Sequence, residues 1–453
     1  MDNTHIHLIA IGGSAMHNIA LALHHKGFRV TGSDDEIYDP ARGRLEKYGL
    51  LPPSEGWHPE RITPDLDAII VGMHAREDNP ELIKARELDI RIYSYPEYVY
   101  EQSKDKKRVV VAGSHGKTTT TAMILHVLQK LGLDTDYLVG AQLEGFETMV
   151  RLSDAPVIIL EGDEYLASPL DRRPKIHFYK PHISIITGIA WDHINVFPTF
   201  ENYVEQFEIY IKDIEQDGVL FWYKNDEHLQ KIADANLHIR TQEYDTPTYE
   251  IVDNQTILHY NNKKIPLKIF GQHNLQNMEA ARLVCGELGI EDEVFYEAIN
   301  DFGGAARRLQ CLKETKTSIA YLDFAHAPSK VEATIRALKG QYADRELVAC
   351  LELHTFSSLN KKFLSEYSET MNMADTACVF FSEHTLKMKR LPELSTQDIV
   401  DSFGHPNMKV FTQKEDLTDF LEQLNWKNRN LLMMSSGKFG GVDMENLIGK
   451  LLE

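Results

Sequence analysis

The sequence predicts an α/β protein of three domains built mainly on parallel sheets. Three observations predict it. The chain has 453 residues, about three times a common domain size of roughly 150 residues. Short β-branched runs alternate with amphipathic stretches, the pattern of parallel strands joined by crossover helices. Two of the strand-to-helix junctions carry glycine-rich turns, which let backbone approach a phosphate closely.

The first unit, 1–106, opens with a strand at 6–11 and a helix at 15–26. Strands follow at 28–32 and 66–71, then a helix at 80–88. The polar, charged stretch EQSKDKKR at 101–108 reads as a linker. The second unit, 107–305, starts with a strand at 109–112 and a helix at 117–131. Strands at 157–160 and 183–187 and a helix at 200–214 continue it. From 246 to 270 the pattern changes to short alternating runs, predicting a small antiparallel meander before a helix at 274–288. The pattern breaks at Gly303-Gly304, and a third unit, 306–453, begins. It offers strands at 319–323, 347–351, 377–381 and 431–434 and a helix at 329–338.

Composition narrows the function. Lys plus Arg is 48 and Asp plus Glu is 68, so the formal charge is −20. That weighs against a general nucleic-acid binder, which needs a basic surface, but leaves room for a local basic pocket. Cys285, Cys311, Cys350 and Cys378 form no CxxC pair and read as four reduced thiols in or near the core. No apolar run approaches the ~18 residues of a membrane span. The start, MDNTHIHLIAIGG, has neither a basic segment nor a cleavage site. The expectation is a cytoplasmic protein with no membrane insertion.

The sharpest signal is VVVAGSHGKTTTTAMI at 109–124. A buried strand runs into Gly113, Ser114, His115, Gly116, Lys117, Thr118 and Thr119, and then a helix. Glycines let successive N–H groups point inward around phosphate oxygens, and the helix start adds positive potential. Lys117 would reach the outer phosphates and the Thr118 hydroxyl would take Mg²⁺. The match is to a GxxGKT core, because Val111 stands where the full phosphate-loop pattern has glycine.

A second turn, Gly12-Gly13-Ser14, follows the first strand, and Asp34 closes the second strand about 20 residues later, the layout of a dinucleotide-type site. The GxGxxG pattern fails at Ala10, Ala15 and Asn18. Either a pyrophosphate site or a packed βαβ turn fits. Two such turns suggest two ligands, ATP at the second unit and a diphosphate at the first. The run PVIILEGDEY delivers Glu161, Asp163 and Glu164 at a strand end, and the next strand delivers Asp192 and His193. Acidic groups and a histidine beside a phosphate loop make a Mg²⁺ site or a solvated acidic rim.

Together these pieces resemble the Mur ligase family, ATP-dependent amide-forming enzymes of peptidoglycan synthesis. The resemblance rests on GSHGKTTTT (113–121), LEGDEY (160–165), WDH (191–193), GQHNLQNMEAAR (271–282), Arg307-Arg308 and LDFAHAP (322–328). It implies a Rossmann-like UDP-binding domain, a central phosphate-loop ATPase domain and a Rossmann-like C-terminal domain. The N-terminal segment looks like the branch that handles UDP-N-acetylmuramate. Within it, GDEYLASPLDRRPKI, VTGSDDEIYDP and MMSSGKFGG resemble the type that recycles L-alanyl-γ-D-glutamyl-meso-diaminopimelate. The alternative is the type that adds L-alanine. His354 and Ser357 in LELHTFSSLN resemble that second type, and Ala327 stands where both tend to have a second histidine.

The resemblance implies an acyl phosphate, formed by a carboxylate on ATP and then attacked by an amine. It assigns Lys117 to the transferring phosphate and Thr118, Glu161 and His193 to Mg²⁺. It assigns His273, Asn274 and Asn277 to the adenine side, and Arg308 and Asp323 to nucleotide contacts from a closing third domain. Gly12, Gly13, Ser14 and Asp34 would line the UDP site, with His326 and His354 also on the substrate side. Glu208 stands where several relatives have a carbamylated lysine, so it takes that role or the site does without it. The expected state is a monomer or weak homodimer. A phosphate-loop binding protein without ligase chemistry is a rival class. Folate polyglutamylation is another, disfavoured by the roughly 100 residues before the loop.

Overall fold

The computed structural model describes residues 4–73, 75–143, 145–191, 196–235, 238–305 and 307–453. Among these the α/β class holds, with four sheets. The first orders its strands Arg29–Ser33, His5–Ile9, Ala68–Val71 and Ile92–Ser94, all parallel. The second has seven strands. Their order is Arg240–Tyr244, Val219–Tyr223, Ile183–Ile186, Lys107–Ala112, Val157–Glu161, Asp136–Leu138 and Val150–Arg151. Only the last pairing in it is antiparallel. The expected meander is a three-stranded antiparallel sheet of Tyr249–Val252, Gln255–Tyr260 and Lys263–Leu267. The fourth sheet orders Gln310–Glu314, Ile319–Asp323, Arg429–Met434, Glu346–Leu353, Thr376–Phe381 and Met408–Phe411, antiparallel only at its first pair.

The chain divides into two compact units. One is Met1–Ile189 with Phe200–Tyr244 and Ala280–Glu291; the other is Ala190–Thr199 with Asp245–Glu279 and Asp292–Glu453. The parallel strands are apolar on both faces because helices cover both. In Lys107–Ala112 every residue after the first is buried. In the six-stranded sheet successive residues feed opposite cores. Leu347, Ala349 and Leu351 face one, and Val348 and Cys350 the other.

Three expectations are corrected. The stretch at 101–108 is not a free linker. Helix Tyr95–Glu101 ends and strand Lys107–Ala112 begins within it. Arg108 is buried because five backbone carbonyls and Glu215 satisfy its guanidinium. Cys311 is exposed, because it lies on the edge strand Gln310–Glu314; the other three cysteines are buried. Glu208 is exposed. Helix Phe200–Lys212 buries Tyr203, Phe207, Tyr210 and Ile211 along one face, and Glu208 lies off that stripe. That exposure favours the second of the two possibilities for Glu208, a site that does without the carbamate.

Candidate functional site

Strand Lys107–Ala112 lies between Val157–Glu161 and Ile183–Ile186, parallel to both. Their carboxyl ends therefore converge, and Glu161 sits level with Val111. The chain turns at Gly113 (φ +118) and Gly116 (φ +77), left-handed conformations that suit glycine, and enters helix Lys117–Lys130. The Ser114 N–H donates to the Gly188 carbonyl at 2.9 Å, and the Thr187 hydroxyl donates to the His115 carbonyl. The loop is thereby tied to the neighbouring strand end, with Thr118 and Thr119 buried in the first helical turn.

The Lys117 ammonium donates to the Gly113 carbonyl at 2.6 Å and to Glu164 at 2.7 Å. Burial works against its charge. The carboxylates of Glu164, Asp163 and Glu161 outweigh that, so Lys117 titrates above an ordinary lysine. Glu164 is itself buried and accepts from the Tyr203 hydroxyl at 3.0 Å, which also shares a hydrogen bond of 2.8 Å with Ser114 Oγ. The Thr118 hydroxyl donates to Glu161 Oε1 at 2.8 Å, and the Gly140 N–H donates to Glu161 Oε2 at 2.7 Å. A hydroxyl and a carboxylate side by side are hard oxygen donors, a set that suits Mg²⁺ completed by water and phosphate oxygens. Asp192 and His193, the other expected ligands, lie outside the described residues.

At the N-terminal turn the Gly12 N–H donates to Asp34 Oδ2 at 2.7 Å. Gly13 caps helix Ser14–His25, and Ser14 is exposed. Burial and the neighbouring Asp35 push the Asp34 carboxyl up to about 7, against the Gly12 N–H. Gly12, Ser14 and Asp34 line a cavity of about 810 Å³ that also takes in His17, Trp57 and Arg76.

The remaining expected residues lie in the second unit. His273, Asn274 and Asn277 share helix Gln272–Glu287. Desolvation pushes the His273 imidazole down to about 4, so it is neutral at physiological pH. The Asn274 amide donates to the Phe270 carbonyl at 3.0 Å, and Asn277 is buried. Asp323 ends strand Ile319–Asp323, and both its oxygens accept loop N–H groups, from Leu309 and Ala325, at 2.6 Å. Arg308 stacks over Phe324 at 4.7 Å. The Arg307 guanidinium donates to the Ser435 and Gly437 carbonyls. His326 Nδ1 lies 2.8 Å from the Phe324 carbonyl. His354 is 3.7 Å from Glu352 and lines a second cavity, of about 720 Å³.

Sequence reasoning missed Tyr203 and Gly140. Tyr203 reads as one more apolar position of an amphipathic helix, and Gly140 as loop; neither carries a motif.

A glycine loop bearing Lys117 and Thr118 at the mouth of a parallel sheet, with carboxylates on the adjoining strand end, defines a nucleotide-phosphate-binding α/β protein. Residues 5–107 match the family description "Mur ligase family, catalytic domain", and 111–285 match "Mur ligase middle domain". The chain is 31% identical over 411 residues to the UDP-N-acetylmuramate–L-alanine ligase of Caldicellulosiruptor saccharolyticus, covering 87% of each chain. It is 26% identical to the UDP-N-acetylmuramate–L-alanyl-γ-D-glutamyl-meso-2,6-diaminoheptandioate ligase of Haemophilus influenzae, covering 98% of each. The crystal structure of a murein peptide ligase from Psychrobacter arcticus shares the fold, with a TM-score of 0.66 at 22% identity over 99% of this chain and 98% of that one. This chain belongs to the Mur ligase family, whose members are ATP-dependent ligases that form amide bonds.

Proposed function

We propose that this protein joins UDP-N-acetylmuramate to the tripeptide L-Ala-γ-D-Glu-meso-diaminopimelate, with ATP and Mg²⁺, in the cytoplasm and in peptidoglycan recycling. The observation that carries the ligase chemistry is the Lys117–Thr118–Glu161–Glu164 cluster at the loop. What supports the tripeptide is the segment GDEYLASPLDRRPKI with the ending MMSSGKFGG, and a relative of that activity aligned over 98% of both chains. We keep the division 1–106, 107–305 and 306–453 as the reading of UDP-sugar, ATP and acceptor domains.

In this reading a lactyl carboxylate oxygen bonds to the γ-phosphorus of ATP, and the bond to the ADP oxygen breaks. The peptide amine then bonds to the acyl carbon and phosphate leaves with its oxygen; the amine proton goes to solvent. Lys117 and the loop N–H groups hold the transferring phosphoryl group. Thr118, Glu161 and His193 would hold Mg²⁺, which when bound neutralises phosphate charge. Arg308, Asp323, His273, Asn274 and Asn277 are read as nucleotide contacts. Gly12, Gly13, Ser14 and Asp34 are read as the UDP side, with Asp34 shaping the turn through the Gly12 N–H, and His326 and His354 as the acceptor side.

A second reading takes L-alanine as acceptor. The Caldicellulosiruptor relative and the LELHTFSSLN segment favour it. The test is phosphate release with ATP, Mg²⁺ and UDP-N-acetylmuramate, with either L-alanine or the tripeptide added. Stimulation by the tripeptide and little by L-alanine is expected. The reverse result would replace the first reading with the second.

A further inference from the structure

The cavity of about 810 Å³ beside the N-terminal turn is walled by separate pieces of chain. They are the turn at Gly12, the segment that starts at Asp34, the loop at Trp57 and the segment that ends at Asn79-Pro80. One carboxylate outside the cavity ties the last three together. Glu81 is fully buried. Its Oε1 accepts from the His58 N–H at 2.6 Å, and its Oε2 accepts from the Ser33 hydroxyl. His58 follows Trp57, Ser33 precedes Asp34, and Glu81 itself follows Asn79-Pro80. Each tie therefore falls one residue from the lining. The Gly12 turn joins the same frame through Asp34, which accepts the Gly12 N–H.

The carboxylate is held on every side. Burial works against its charge, but His7, the Ser33 hydroxyl and the His58 N–H outweigh that, so Glu81 titrates below an ordinary glutamate. His7 Nε2 lies 3.5 Å from Glu81 Oε2 and 3.4 Å from Ser33 Oγ, and its Nδ1 lies 2.9 Å from Thr31 Oγ1. The Glu81 backbone is fixed as well, because Asn79 caps helix Pro80–Glu87 and accepts the Glu81 N–H at 2.9 Å.

Holding the helix does not require this charge. Leu82, the next residue, already packs into the apolar core with Ile9, Ile69 and Val71. A buried charged network is a poor source of stability, since apolar groups of the same shape often serve as well. What a fully satisfied network supplies is one fixed geometry. Here the parts it fixes are the walls of a cavity.

We propose that Glu81 is a positioning residue for the nucleotide sugar: it locks the Asp34, Trp57 and Asn79-Pro80 walls into one spacing and does not touch the ligand. This rests on the reading of that cavity as the UDP side and adds to it a residue that shapes the site from beneath.

The experiment uses the full-length enzyme. Calorimetry gives Kd for UDP-N-acetylmuramate, and phosphate release gives KM and kcat with ATP, Mg²⁺ and whichever acceptor wild type uses. Glu81→Leu removes the ties at similar volume and should raise Kd and KM for UDP-N-acetylmuramate about tenfold, with kcat within about twofold. The KM for ATP should not change. Ser33→Ala cuts one tie and should raise Kd about threefold or more. Glu81→Gln should stay within about twofold of wild type, because its amide can accept from His58 and donate to Ser33 and His7, which accept as well as donate. Leu82→Val loosens the same helix without touching the ties, so it should lower the unfolding temperature and keep the wild-type Kd.

An unchanged Kd in folded Glu81→Leu overturns the proposal, and so does an unchanged Kd in Ser33→Ala, which decides the matter alone if Glu81→Leu does not fold. A Leu82→Val variant that weakens binding as much as Glu81→Leu also overturns it, since general loosening would then suffice. A wild type that does not bind UDP-N-acetylmuramate overturns the UDP reading and this proposal with it.

Discussion

The ammonium of Lys117 lies 2.7 Å from a carboxylate oxygen of Glu164, and the other oxygen of that carboxylate accepts from Tyr203 at 3.0 Å. Lys117 and Glu164 are both largely shielded from water. In the function proposed above, a triphosphate entering the loop would bring its own negative charge to Lys117 and replace Glu164 as its counterion. The pair keeps the lysine charged and in place without nucleotide.

Glu164→Gln preserves shape and removes that counterion. Breaking a buried pair from one side costs about 3–5 kcal/mol. Asp163 and Glu161 lie close enough to favour the Lys117 charge, so a loss nearer roughly 2 kcal/mol is expected without nucleotide. Saturating ATP should recover most of it. Urea unfolding with and without ATP measures both. An equal loss in the two conditions would mean Glu164 is not what Lys117 leaves when nucleotide binds.

Gly140 offers a way to move Glu161 without altering it. A Cβ at this position would stand 2.7 Å from Glu161 Oε1 and 3.0 Å from its carboxyl carbon, so the carboxylate must shift. Outer partners of metal ligands are commonly worth 10–100-fold in metal affinity. Gly140→Ala should therefore raise the Mg²⁺ concentration needed for half-maximal phosphate release by about tenfold. An unchanged Mg²⁺ curve in a folded variant would remove Glu161 from the metal site.

Glu161 was legible because it ends an apolar strand, where a polar residue stands out, and Lys117 and Thr118 because they open a helix just after a glycine turn that follows an apolar strand. The parallel sheets were legible for the same reason: strands buried on both faces read as runs such as VVVA. Strand Arg240–Tyr244 was not, because RTQEY lies at the sheet edge with four of five residues exposed and no apolar alternation. Tyr203 was hidden by its own spacing, since 203, 207, 210 and 211 form the buried stripe of any amphipathic helix. The second cavity, beside His354, was hidden by topology. Lys414 and Lys438 follow different strands, and only the parallel register brings those strand ends to one rim.

Asp34 gives the stability a pH dependence of known sign. Its carboxyl is pushed up to about 7 in the folded protein, against about 4 in an unfolded chain. Between those values the folded state holds a proton that the unfolded state has lost. Its contribution is thus fully present below about pH 4 and falls away as pH rises toward 7. Asp34→Asn removes this dependence and keeps an oxygen for the Gly12 N–H. From pH 5 to pH 8 wild type should lose roughly 1–2 kcal/mol more than the variant in urea unfolding. Parallel pH profiles would place the titration elsewhere.

Arg108 separates two ways of holding a buried cation. Its Nε donates to the Tyr179 and Lys180 carbonyls at 2.9 Å, and Nη1 to Ser103 at 3.0 Å and Lys104 at 2.9 Å. Nη2 pairs with Glu215 at 2.7 Å. The arginine is buried while the Glu215 side chain is 42% exposed, so water screens the ion pair but not the carbonyl cage. Arg108→Ala leaves those carbonyls unsatisfied and should cost about 3–5 kcal/mol. Arg108→Lys should recover only part, because one ammonium cannot reach the same fork of acceptors. Glu215→Gln should cost less than about 1 kcal/mol. If urea midpoints instead fall equally for Glu215→Gln and Arg108→Ala, the ion pair holds this segment. If the order is as expected, the charged stretch at 101–108 folds because an arginine collects backbone carbonyls that no other side chain there could satisfy together.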